Sequence, residues 1–437
     1  MTEVKALLQR LGQLALLGLL VGLVCWPFNL LDRWADQLLQ LLPAFSGEPW
    51  SVLTVGLACS PLVAVPVLLL LQRQRFSRGR GSGIPQAMTS IEHPEQAGAL
   101  LGLVPSLQRL VLWGLATMTL LPLGREGPVV QVGASAAYWL RRAFPRWISR
   151  LSHADLLAVA GGAGLAGGFN TPLLGVVFVA EEFMGTFSTA LIWPALVIGA
   201  LAAAFSSVVG QPEFALGIVG VAPEELIQLL WALPVGVMAG LLGALFARVL
   251  LRVTRRWRLL SQRRPLRLGL VLGAVLTLFL LLSGGAAGCD GELLMTHMIE
   301  GVSPTTWALP GLFGDLFTLV LRVVGPVLTL GSGIPGGLID PSFAFGAVLG
   351  HSMGVVGSAP ELGLTLGMVA GLAGATQLPV MAVLFGIRMA GDQQLLPGLL
   401  LASVLAACVS RLVVDKPVYH ALKDIADEPL PEAAGRS

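Results

Sequence analysis

Several stretches of this chain carry no charge over the length of a membrane span, four of them fitting a single span, and nothing else constrains its fold so tightly. These four are Leu11–Leu31, Pro49–Leu71, Leu226–Ala247 and Leu268–Cys289. About 20 apolar residues suffice to cross a bilayer as a helix. Composition agrees: 55% of the 437 residues are hydrophobic and 12% charged, with a mean hydropathy of +0.81. Soluble domains carry about a quarter charged residues. The chain reads as an all-α, polytopic membrane protein. Two longer uncharged runs, Phe183–Pro212 and Leu362–Ile387, are expected to be bent, broken or paired segments rather than straight helices.

Lys5 and Arg10 ahead of the first run imitate a signal peptide. The run is as long as a span, however, and no small-x-small cleavage site precedes Trp26-Pro27, so a retained helix is expected. Cys25, Cys59, Cys289 and Cys408 show no CxxC spacing and read as small packing residues. The five histidines are scattered, and neither they nor the cysteines predict a metal site or cofactor.

Net charge is only +2, but it is unevenly placed. Arg73, Arg75, Arg78 and Arg80 form one cluster, and Arg141, Arg142, Arg146 and Arg150 a second. A third comprises Arg252, Arg255, Arg256, Arg258, Arg263, Arg264 and Arg267. Short basic connections stay on the cytoplasmic side, so all three are expected there. Their position beside spans argues against nucleic acid as a partner.

The chain also repeats itself. GREGPVVQVGA (Gly124–Ala134) and GLIDPSFAFGA (Gly337–Ala347) share Gly-x3-Pro-x4-Gly-Ala at an offset of 213. GLAGGFNTPLLGVVF (Gly164–Phe178) and GLAGATQLPVMAVLF (Gly371–Phe385) match at an offset of 207. Two ordered matches at nearly equal offsets indicate internal duplication. Residues 1–251 and 268–422 are expected as two transmembrane halves, 252–267 as a basic cytoplasmic linker and 423–437 as a short tail. Duplicated halves are typical of transporters, often with inverted topology and a site where the halves meet.

Such sites use helices that start inside the membrane, and Gly/Pro clusters in apolar sequence point to them. GLAG and GASAA are read as close helix packing. GSGIP (Gly81–Pro85, and again Gly331–Pro335), GREGP and GGLIDP instead pair small residues with a proline at a helix start. A helix beginning in the membrane leaves N–H groups unpaired and its positive dipole end exposed. A dehydrated anion satisfies both, and Ser82 adds a hydroxyl donor. No GxxxxGK sequence occurs, which excludes a phosphate loop.

Glu126 in GREGP is an anion itself. A carboxylate at mid-membrane is unfavourable by roughly 2.5–3.5 kcal/mol on insertion scales, but a helix N-terminus favours it. It would hold the place a substrate anion wants and leave when protonated, coupling anion passage to protons. The alternative is an ordinary acidic residue paired with Arg125. Glu181 and Glu182 end the apolar stretch Leu156–Ala180, near a helix C-terminus if that stretch is helical. Capping is a weak explanation there. A proton-handling carboxylate and a salt bridge to the basic loops both remain open.

Together these strings resemble the CLC family of chloride channels and chloride/proton exchangers, in order over about Pro49–Leu422. The hallmarks are Gly81–Pro85, Gly124–Pro128, Gly337–Pro341 and Tyr419 in DKPVYHAL. The resemblance implies a CLC-type inverted repeat of two helical halves with broken and re-entrant helices, assembled as a homodimer with one pore per subunit. It implies that Ser82 and Tyr419 donate hydroxyls to a central chloride, joined by backbone N–H groups of Leu338 and Ile339. Gly81, Gly83, Arg125 and Gly127 would shape the anion loops. Glu126 corresponds to the external gating glutamate and Glu182 to the internal proton-transfer glutamate of exchangers. A chloride/proton antiporter of a prokaryotic plasma membrane is therefore expected, not an enzyme; a passive channel or an exchanger of another small anion is the alternative. The family's Gly-x-Phe-x-Pro reads GLIDP here, so Ile339 replaces an aromatic ring and Asp340 stands at a variable position. Asp340 is expected as a helix N-cap; pointing into the pathway it would compete with anions or bind protons. Arg388 in FGIRMAGD stands where relatives often carry an acid, and no role follows for it.

Overall fold

The computed structural model describes residues 2–145, 151–209, 225–300 and 311–428. Arg146 and Arg150 of the second basic cluster lie outside them, as do Gly210–Pro212 at the end of one long apolar run and most of the tail. In lipid every backbone polar group needs an internal partner, and helices supply it locally. The described residues accordingly form helices and no strand. We number the main ones. In the first half α1 is Thr2–Leu39, α2 Ser60–Gln74, α3 Ile84–Glu92 and α4 Leu103–Met118. They are followed by α5 (Glu126–Ala143), α6 (His153–Phe169), α7 (Pro172–Phe178) and α8 (Thr189–Ser206).

The second half repeats the order. It comprises α9 (Glu225–Arg263), α10 (Pro265–Leu282), α11 (Glu292–Ile299), α12 (Leu312–Gly331) and α13 (Ile339–Val356). Then come α14 (Pro360–Thr376), α15 (Pro379–Ala390) and α16 (Leu396–Val413), and α17 (Val418–Asp427) closes the chain. Each helix of the first half thus has its counterpart eight places later. Helices α5 and α13 are both 18 residues long, α6 and α14 both 17, and α8 and α16 both 18.

Among the described residues seven helices are long and apolar enough to cross a membrane, or eight if the bent pair Pro94–Leu100 and Leu103–Met118 counts as one span. Large apolar side chains such as Leu53, Trp193, Val271 and Leu412 stand exposed on the outside, as lipid-facing residues do. The run Phe183–Pro212 breaks at Gly185, after a π-helical turn over Val179–Met184. The run Leu362–Ile387 breaks at Gln377–Leu378, between α14 and α15. Residues 252–263, expected within a linker, are instead the last turns of α9, and Arg264 alone separates it from α10.

Two details show how the halves are related. Gly124 and Gly337, which the repeat makes equivalent, exchange both backbone hydrogen bonds: Gly124 N–H to Gly337 O at 3.0 Å and the reverse at 2.8 Å. A reciprocal antiparallel pair between equivalent residues is self-complementary, so a local two-fold axis passes between the two loops. The second detail is the helix crossing inside each half. A Cβ on Gly133 would come 2.9 Å from Gly164 Cα, and one on the equivalent Gly346 would come 2.9 Å from Gly371 Cα. The backbones touch there, which any side chain would prevent. GLAG and GASAA supply these contacts.

Candidate ion-transport site

The axis brings two helix N-termini together. Helix α5 begins at Glu126 and α13 at Ile339, equivalent positions in the repeat. Glu126 is fully buried, and its Oε1 accepts the backbone N–H of Asp340 at 2.5 Å. A Cβ built on Gly337 would coincide with the Glu126 carboxylate. The acid that opens α5 therefore lies over the glycine leading into α13 and is received by that helix's first turn. Partly buried dipole contacts of this kind contribute up to about 2 kcal/mol, and a hydrogen bond to a charged group roughly 1.5–3 kcal/mol. Arg125, the preceding residue, is tied into the first half. It is buried, forms an ion pair with Asp32 of α1, donates from Nε to Gly168 O at 3.0 Å and stacks over Phe169 at 4.8 Å.

Asp340 corrects an expectation. The N-cap of α13 is Leu338, no side chain caps it, and Asp340 is the second helical residue. Its carboxyl group is buried, and neither oxygen has a hydrogen-bond partner among the described residues. Oδ2 lies 2.7 Å, and Glu126 Oε1 2.6 Å, from the point a Cβ on Gly124 would occupy. Two carboxyl groups thus flank Gly124, the glycine that leads into α5.

A further acidic group lies nearby and was not read from the sequence. Asp32, Asp290 and Glu292 bring carboxylate oxygens within 4.8 Å of one another, all buried. Asp290, two residues ahead of α11, accepts the N–H of Glu292 at 3.0 Å. Breaking a buried ion pair such as Arg125–Asp32 strands a charge, and Asp32 is the member of the group that pairs with Arg125. The group's only sequence signal was Asp32 at the end of an apolar run that the helix in fact continues past.

The GSGIP loop packs against the same helix start. A Cβ on Gly127 would run into Ser82 Oγ and its carbonyl, and a Cβ on Gly83, at φ +120°, into the Gly127 carbonyl. Only glycines permit this approach. Ser82 Oγ and Tyr419 Oη are buried without a hydrogen-bond partner among the described residues. The backbone N–H groups of Leu338 and Ile339 likewise find no protein acceptor there. Ser82, Gly81 and Leu338 line a cavity of about 660 Å³ whose wall also carries Arg78, Arg80 and Arg258. Ile339 and Tyr419 are buried and do not line it. A cleft with arginines of two basic clusters in its wall concentrates anions.

The acidic pair divides its work. Glu181 accepts the N–H groups of Val380 at 3.0 Å and Met381 at 2.8 Å, capping α15 of the opposite half. That capping was not legible, because its partner lies about 200 residues on. Glu182 sits on the π-helical turn, buried, with Oε1 unbonded and the ring Nε2 of His420 3.8 Å away. π-Helical turns are frequently found at functional sites. Arg388 occupies the last turn of α15, where a cation suits the helix dipole.

Broken helices meeting start to start between two inverted halves, inside a bundle of spans, define a multi-pass membrane transport protein. A sequence profile of the voltage gated chloride channel family matches residues 63–411, and the chain belongs to that CLC family. Among solved structures it resembles a slow cyanobacterial Cl−/H+ antiporter (TM-score 0.76, 22% identity, 96% of this chain and 99% of that one). It also resembles a eukaryotic CLC transporter (0.74, 22%, 97% and 75%) and a CLC-type fluoride/proton antiporter (0.73, 25%, 92% and 95%).

Proposed function

We propose that the protein is a chloride/proton antiporter of the plasma membrane, a homodimer with one pore per subunit, and not an enzyme. The observation that carries this reading is the seat of Glu126: its carboxylate, held by the Asp340 N–H over Gly337, stands where a dehydrated anion would be bound. Ser82, Tyr419 and the N–H groups of Leu338 and Ile339 bind chloride further in, and the loops of Gly81, Gly83, Arg125 and Gly127 shape the approach. Chloride enters from the basic cleft. When Glu126 takes up a proton it loses its charge and its claim on the helix start; chloride passes and the proton travels with the side chain. Glu182 exchanges that proton with the cytoplasmic side. Asp340 is a second carboxyl at the outer gate. Helices α1–α8 and α9–α16 act as the two halves.

The test is purified protein in liposomes holding a steep chloride gradient, with valinomycin setting the potential. Proton uptake against its own gradient, driven by chloride efflux, is expected. Chloride movement without protons would make the protein a passive channel, and no chloride movement would point to another anion.

A further inference from the structure

We propose that His420 is the proton relay between cytoplasmic water and Glu182. This rests on the antiporter reading above. Glu182 is buried, only 1% of its side chain being exposed, while the proton it handles must come from water. Some group has to connect the two. Glu181, its neighbour in sequence, is committed to the N-terminus of α15 through both of its oxygens. His420, next to Tyr419 at the start of α17, faces both environments. Its side chain is 41% exposed and its Nε2 is 3.8 Å from Glu182 Oε1, the carboxylate oxygen that has no hydrogen-bond partner among the described residues. One bridging water or a small ring rotation closes that gap.

The side on which His420 opens is also fixed by contacts. Arg258, of the third basic cluster, donates to the carbonyls of Ile425 at 2.5 Å and Ala426 at 3.0 Å, so α17 lies on the basic, cytoplasmic face. Around His420 the charged groups are Glu182 on the π-helical turn, Glu92 at the end of α3, and Lys423 and Asp424 on α17 itself. Lys423 pairs with Glu92, and Lys416 with Asp424 at 2.6 Å. Lys423 is mostly buried in its pair with Glu92, while the Lys416–Asp424 pair is exposed; with these charges paired, the imidazole is the group able to gain and lose a proton.

The step is a proton transfer in two moves. Imidazolium Nε2–H gives its proton to Glu182 Oε1, leaving neutral imidazole and a carboxylic acid. The ring then takes the next proton from cytoplasmic water. Reversal of both moves returns a proton to the cytoplasm.

The experiment compares wild type, His420→Ala and His420→Gln in proteoliposomes, recording chloride and proton fluxes together. Coupled proton uptake by wild type is the control for the antiporter reading; its absence would fail that reading before His420 is tested. Given it, both variants are expected to keep chloride flux while proton flux falls about tenfold. That is less than the roughly 10²–10⁴-fold effect of a general acid or base in direct contact, since water also reaches the alanine site. Imidazole in the internal buffer is expected to restore proton flux to His420→Ala. Unchanged proton flux in both variants would overturn the proposal. So would equal loss of both fluxes without imidazole rescue, which would make His420 a structural residue.

Discussion

The two loops that meet on the local two-fold axis are the same backbone carrying different chemistry. Gly124 and Gly337 pair as equals, and Pro128 and Pro341 hold equivalent places in the first turns of α5 and α13. Between them the side chains diverge. The first loop has Arg125, Glu126 and Gly127 where the second has Leu338, Ile339 and Asp340. Symmetry builds two facing helix starts, and asymmetry decides what each does. One sends a carboxylate across the axis, and the other receives it with a bare glycine and a backbone N–H. A symmetric pair of acids would repel at this distance, and a symmetric pair of isoleucines would have no response to protons. In the mechanism proposed above, the difference between the loops is what turns a duplicated fold into a proton-sensitive gate.

The comparison is broken most completely at Glu126. Glu126→Gln removes the charge that the first loop sends across the axis, so chloride flux should persist while coupled proton movement disappears, with most of its pH dependence. The sign follows from occupancy: in wild type, falling pH protonates Glu126, frees the helix start and raises chloride flux; the variant stays flat. Flux recorded across a pH series checks this, and retained uphill proton movement would contradict it.

Gly337→Ala attacks the receiving loop. Its methyl group falls where the Glu126 carboxylate lies, so the side chain cannot seat. A large fall in coupling is expected, with proton flux reduced by about tenfold or more for a lost charged hydrogen bond of roughly 1.5–3 kcal/mol. Wild-type coupling in this variant would mean that the carboxylate does not work from that seat.

Asp340→Asn sharpens the account of the second carboxyl. It removes a negative charge beside Glu126 without changing size, so Glu126 ionises more readily and the flux-versus-pH curve shifts to lower pH. A curve that does not move would show that the two carboxyls act independently. The smallest effect belongs to Ile339→Phe. Ile339 is fully buried, and adding a ring overpacks its site by typically 1–3 kcal/mol. A modest loss of thermal stability is expected, with coupling unchanged; lost coupling would give the residue a direct role in the gate.

How far this was legible depended on whether the signal was local. Spans, broken segments and the duplication were readable because apolar length, Gly/Pro punctuation and an offset are properties of nearby residues or direct repetition. The helix starts at Glu126 and Ile339 followed from GREGP and GLIDP for the same reason. Side-chain direction was not. Asp340 is an acid at a helix start and reads as a cap, but the cap position falls two residues earlier, and its carboxyl points toward Gly124. Glu181 reads as misplaced at a helix end until α15 of the other half arrives to be capped by it. Asp32, Asp290 and Glu292 are scattered in sequence and meet only in the fold. His420 was one histidine among five until α17 set it against Glu182.

The central claim is that Glu126 and a permeating anion compete for one seat at the start of α13. Bromide, a chloride substitute visible by anomalous scattering, tests it directly in crystals of wild type and Glu126→Gln at neutral pH. The variant should show a bromide over Gly337, within hydrogen-bond reach of the Asp340 N–H, and the wild type should show the carboxylate there instead. Bromide at that place in both proteins, or in neither, would contradict the account.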